Sequence, residues 1–152
     1  MIRYDRPLNL ATYRPEGVFD KNMANELLDF LQVMESELPK GFNRLLDLKG
    51  ILEIHITGTD LFRIAKRRRS AAEKIPVCRS AIFAPSLLTY AIAKIYEELM
   101  DGSNIQIRLF DEVETAAKWL GLPESALGLP NANPRGMEVL PKSILKFPAG
   151  PK

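Results

Sequence analysis

The period of the apolar residues changes repeatedly along this chain, and that alternation constrains the fold more than any single motif. LNLATYR, from Leu8 to Arg14, alternates as a strand with one buried face would. EGVFD then reads as a turn, with Asp20 placed to cap a helix. Met23, Leu27, Phe30, Leu31, Met34 and Leu38 recur at steps of three and four, which predicts one helix, stopped by Pro39 and Gly41. RLLDL reads as a short buried strand. TDLFRIAKRRRSAAEK predicts a second helix with Thr59 or Asp60 as its cap and Pro76 ending it. CRSAIFA is strand-like. SLLTYAIAKIYEELM predicts a third helix, capped by Ser86, with Leu88, Ala91, Ile92, Ile95, Tyr96 and Leu99 on its inward face. DGS is a turn, NIQIRLF a strand, and DEVETAAKWLG a short helix with Val113, Ala116, Ala117 and Leu120 inward and Gly121 as its stop.

Strands alternating with helices predict an α/β layer: a mixed, partly parallel sheet of four to five strands with about four helices, over residues 1–121. The stretch 122–152 is different. It holds six of the eleven prolines, which rules out regular helices. It also carries Leu127, Leu129, Met137, Val139, Leu140, Ile144, Leu145 and Phe147, which is too apolar for a solvated linker. The expectation is a Pro-rich tail that packs on its own domain or across a partner subunit.

Composition narrows the chemistry. One histidine and one cysteine cannot build a His/Cys metal centre. Cys78 lies in VCRSAIFA, the setting of a buried, inert thiol. No serine stands in a nucleophile-elbow context, and no phosphate-binding glycine loop is present. The expectation is a chain that is not an enzyme and uses no cofactor. MIRYDRPLNL lacks the apolar core of a secretory signal, and no apolar run approaches the roughly 20 residues of a membrane span. With a single cysteine, this points to a cytoplasmic protein. The net charge of +2 is spread along most of the chain and neither demands nor excludes a polyanionic partner; with no aromatic interleaving or known module beside the basic cluster, no nucleic-acid partner is expected.

The densest charge feature is Lys66, Arg67, Arg68 and Arg69. It reads first as a solvated helix face, with Glu73 one turn beyond Arg69 and the Arg68 stem snorkelling from the apolar side. The sharper reading is a basic contact surface of Arg63, Lys66, Arg67 and Ser70 for an acidic partner. In LEIHIT, Leu52, Ile54 and Ile56 share one side of an extended segment, and Glu53, His55 and Thr57 share the other. His55 then sits on the polar side, in the role of a surface or hydrogen-bonded side chain. Asp47, at a strand end, can orient the following turn by accepting backbone N–H bonds.

DLKGILEIHITG, residues 47 to 58, resembles a pattern of the anti-sigma-factor antagonists of the STAS superfamily, Asp-Leu-Ser-x-Val-x-x-Ile-Asp-Ser-Ser-Gly. Asp47, Leu48, Ile51, Ile54, Thr57 and Gly58 fit it without gaps. Glu16 to Asp20 is similar to the family's Gly-x-x-Asp turn before its first helix, and RLFDEVETAAKWLG resembles the last strand and helix of a bacterial branch that shares its topology with CRAL-TRIO lipid-binding domains. The resemblance covers about residues 8 to 121. It implies a SpoIIAA-like fold and a regulatory protein–protein contact module. Its surface would comprise Asp47, His55, Thr57, Gly58, Thr59, Asp60, Arg63, Lys66, Arg67 and Ser70. The family's phosphorylated serine falls on Ile56 and its aspartate on His55, so the resemblance implies a module without the serine phospho-switch, unless Thr57 or Thr59 substitutes. In a structural role, Gly58 gives the turn backbone freedom and Thr59 or Asp60 caps the helix. The alternative that the CRAL-TRIO likeness implies is a binding module for a small amphiphile, a lipid or acyl chain. Apolar side chains on two sides of the first helix, with Leu28 and Val33 beside the core face, fit that alternative and also self-association as a two-fold dimer.

Overall fold

A computed structural model describes residues 2–128 and the backbone of 137–139. The chain is α/β, as its alternating periods predict. The strands are β1 (Ile2–Asp5), β2 (Leu10–Tyr13), β3 (Gly17–Asp20), β4 (Asn43–Asp47), β5 (Ile51–His55), β6 (Cys78–Phe83), β7 (Ile105–Phe110) and β8 (Met137–Val139). The helices are α1 (Lys21–Glu37), α2 (Gly58–Ala72), α3 (Leu87–Leu99) and α4 (Val113–Leu120). The main sheet runs β7-β6-β4-β2-β1-β8. Strands β2, β4, β6 and β7 are parallel neighbours, while β1 is antiparallel to β2 and to β8. Strands β3 and β5 form a separate parallel pair. No described helix is long and apolar enough to cross a membrane.

Alternation across the strands sends residues to two different faces. One face carries Leu10, Leu45 and Ala81, packed by Ala116, Ala117 and Leu120 of α4. The alanines bring α4 close to the sheet, and the left-handed backbone of Gly121 ends the helix as expected. The other face carries Tyr4, Ala11, Leu46 and Ile82 beneath α1, α2 and α3.

Several expectations need correction. EGVFD is not a plain turn. Gly17 adopts a left-handed conformation at a bulge, and Val18 to Asp20 pair with β5, which supplies partners for backbone groups a loop would leave to solvent. The N-terminal IRYD, to which no element was assigned, is the strand β1, where charged residues alternate with Ile2 and Tyr4. On α3 the inward side chains are Thr89, Ile92, Ala93, Tyr96 and Met100, while Leu88 and Ile95 stay about half exposed. The apolar arc of α3 is wide enough to fit either register, and the small Thr89 and Ala93 let the helix approach the layer below. Leu28 and Val33 are buried, so the second apolar side of α1 serves its packing against α2 rather than a surface.

Residues 122–128, the first part of the tail, pack on their own domain. A 3-10 turn at Glu124–Leu127 buries Ala126 and Leu127, and Leu127 joins the α4-side core. The apolar side chains from Leu129 onward, which were expected to pack on their own domain or across a partner subunit, lie outside the described residues.

Candidate functional site

The stretch that resembles the STAS turn holds together locally. Thr57, not Thr59 or Asp60, is the N-cap of α2: its hydroxyl accepts the Asp60 N–H at 3.0 Å. The Asp60 carboxylate accepts the Thr57 N–H at 3.1 Å in return, completing a capping box. That bond holds the Asp60 carboxyl below its ordinary value. Gly58 is the first helical residue with no positive φ, and a Cβ there would touch nothing, so the turn does not depend on its freedom. His55 is exposed on β5 and lies 2.9 Å from Glu53, on the polar side of the strand.

Asp47 stands apart from this turn. It accepts the Lys49 N–H at 3.0 Å, as expected of a turn-orienting carboxylate, and pairs with Arg14 at 2.9 Å. It lies near Val113 and Leu127, on the α4 side of the sheet.

Along α2, Thr59, Arg63, Lys66, Arg67 and Ser70 are exposed. Arg67 turns toward α1, donating to Asp29 at 2.7 Å and to Gln32 at 3.0 Å. Arg69 does not meet Glu73. It donates to the carbonyls of Leu99 and Asp101, where it serves the C-terminus of α3. Arg68 does not snorkel. It is 2% exposed and donates to the Glu35 carboxylate.

That pair belongs to a buried cluster which the sequence reading missed. Arg44 of β4 donates to the same Glu35 oxygen at 2.7 Å. The side chains of Arg44, Glu35 and Arg68 are 6%, 7% and 2% exposed. The guanidinium of Arg44 lies over the Phe42 ring, 4.2 Å from its centre. Its Nη2 reaches the Phe42 carbonyl only at 3.5 Å, and its buried Nε–H has no partner. These three charges reach two neighbours. Burial pushes the Cys78 thiol up, with smaller opposed contributions from the trio. The Tyr96 phenol is likewise raised by burial, against the pull of Arg68 and Arg44.

Arg44 lines a chamber between the sheet and the three helices that cover it. The chamber has a volume of about 110 Å³. Two rows of the sheet make its floor. In the first, Ala11, Arg44 and Ser80 lie side by side, and in the second Tyr13, Leu46 and Ile82 do. Leu28 and Phe30 of α1, Leu61 and Ile64 of α2, and Ile92 and Ala93 of α3 close it, with Phe19 and Ile54 from the β3–β5 pair. Small residues on either side of Arg44 leave the space that a larger pair would fill. Burial, aided by Glu26, pushes the Tyr13 phenol up to about 12, so it stays protonated at neutral pH. Three elements that line the chamber also expose an apolar neighbour: Leu52 beside Ile51, Phe62 beside Leu61, and Leu88 beside Thr89.

The misfits were visible in outline. Arg68 stands in the inward series Leu61, Ala65, Arg68, Ala72, and Glu35 continues Ala24, Leu28 and Leu31 at helical spacing. Arg44 shares its strand face with Leu46. Each is a charge in an apolar slot, and one carboxylate against two guanidiniums is the signal that joins them.

The chain matches no protein-family model, no curated protein and no solved structure.

Proposed function

We propose that this chain is a binding module for a small amphiphile, held in the chamber between the sheet and α1, α2 and α3. The observation that carries the reading is a chamber of about 110 Å³ walled almost entirely by aliphatic and aromatic side chains. Apolar interiors are close-packed, and an engineered void of about 150 Å³ with similar walls stays dry and takes up benzene. The apolar body of the ligand is therefore small: an aromatic ring or the first few carbons of a chain. The test is native mass spectrometry of the full chain after exposure to a lipid extract and to a panel of short amphiphiles. Retained adducts are expected, and Ala93→Leu, which fills the chamber, removes them while circular dichroism shows the fold kept. A clean apo mass under all conditions overturns the reading.

A second reading follows the STAS resemblance: a regulatory contact module that docks an acidic protein surface. It is favoured by Thr59, Arg63, Lys66 and Ser70, which stand exposed along α2. Lysate pull-down with Arg63→Glu and Lys66→Glu tests it. Loss of a specific partner is expected, and unchanged recovery of the same partners ends it.

A further inference from the structure

We propose that the chamber is selective for a monoanion: the amphiphile it takes carries a carboxylate, which docks on Arg44 beside the Glu35–Arg68 pair. This rests on the chamber being a binding site, and it adds the chemistry of the head group.

The argument starts from charge. Two guanidiniums share one oxygen of one carboxylate, so the trio carries one positive charge beyond what Glu35 neutralises. All three side chains are more than nine-tenths buried. Holding excess charge in an apolar wall is costly, and a pair of opposite charges is tolerated there only when its hydrogen-bonding capacity is met. In this cluster it is not met, because the Nε–H of Arg44 is buried without a partner. Nε–H and Nη2–H share one edge of a guanidinium, and on Arg44 the second of these has only the long 3.5 Å contact with the Phe42 carbonyl. That edge is the fork which a carboxylate fits with two parallel hydrogen bonds. Glu35 occupies Nη1, on the far side.

Position supplies the second part. Arg44 sits mid-strand, flanked by Ala11 and Ser80, and all three line the chamber. Arg44 Nε is covered in this structure, so an anion pairs with that edge as the side chain turns toward the chamber, beside an apolar body packed against Leu46, Ile82 and Ala93. Ser80 adds a hydroxyl beside it. The low-dielectric walls strengthen a charge-assisted bond that bulk water would screen. An uncharged ligand of the same length gains the apolar contacts alone and leaves the excess charge unanswered.

Isothermal titration calorimetry of the full chain at neutral pH, with octanoate and with 1-octanol, tests this directly. Octanoate is expected to bind at least tenfold more tightly than octanol. Arg44→Met is expected to bring the two within about twofold while octanol binding persists. Equal affinities in the wild-type chain overturn the charge inference and leave the chamber reading standing, since octanol still binds. Preference for octanoate that survives in a folded Arg44→Met chain also overturns it. Absence of binding by both ligands, with a clean apo mass, removes the chamber reading itself. Should Arg44→Met fail to fold, the wild-type comparison of octanoate with octanol decides.

Discussion

The turn at His55 to Asp60 and the Arg44–Glu35–Arg68 cluster beside the chamber are opposite kinds of polar site. In the turn, the side-chain bonds stay within three residues: His55 meets Glu53, and Thr57 and Asp60 satisfy each other. It lies at the surface, where water meets whatever the protein does not. Beside the chamber, Glu35 is joined to Arg44 across nine residues and to Arg68 across 33, with all three side chains buried. A local, exposed cluster is stabilised by its own short segment and needs no ligand. A buried cluster assembled from three elements with one charge in excess is maintained only by the whole fold, and it leaves chemistry to be completed from outside.

The comparison breaks first, and by the largest amount, at Glu35. Glu35→Ala leaves two guanidiniums buried with no carboxylate between them, and the loss expected in urea denaturation is about 3–5 kcal/mol. Replacing all three charges by apolar residues of similar volume (Glu35→Leu, Arg44→Met, Arg68→Met) is expected to restore most of that stability. Restored stability with lost octanoate preference separates the cluster's binding role from its role in holding the fold. A Glu35→Ala chain as stable as wild type shows instead that the cluster is not the buried network described.

What was legible in the sequence follows the same division. The helices, the caps at Asp20 and Ser86 and the stop at Gly121 are written in a few neighbouring residues, and they stand in the structure. The cap of α2 was misplaced by two or three residues because Thr57, Thr59 and Asp60 all carry capping side chains and only backbone geometry chooses among them. The strand β3 was hidden because its pairing partners in β5 lie 34 to 35 residues on. The chamber was hidden for a deeper reason. Its volume is a property of how three helices sit on a sheet, and no periodicity reports how much space small residues such as Ala11, Ser80 and Ala93 leave between them. Arg44, which lines it, and its partners Glu35 and Arg68 were readable as misfits of opposite charge, but the space beside them was not.

Changes in the turn are expected to be small by comparison. Thr57→Ala removes the N-cap hydroxyl and leaves the Asp60 N–H to water, costing about 1 kcal/mol. Binding in the chamber should not change. His55→Ala removes one partner of an exposed pair and should alter stability by no more than about 0.5 kcal/mol in thermal or urea unfolding. A loss of several kcal/mol at either position erases the distinction between a self-contained turn and a chamber supported by the whole fold.

The smallest effect tests whether the turn's charge is local. The Thr57 N–H stabilises ionised Asp60, so the folded-state carboxyl titrates below its ordinary value of 3.8. A depressed carboxylate adds stability above its unfolded pKa, and that addition disappears as pH falls through the folded value. The start of α2 is therefore expected to hold its full protection at neutral pH and to lose it on acidification below 3.8. Amide exchange at Thr57, Asp60 and Leu61 reads this directly, after correction for the intrinsic rate. Asp60→Asn keeps an oxygen that can accept from Thr57 but removes the titration, so its exchange should lack the acid-dependent step. The same step in the variant shows that another group titrates there, and that the turn is coupled to charges beyond its own three residues.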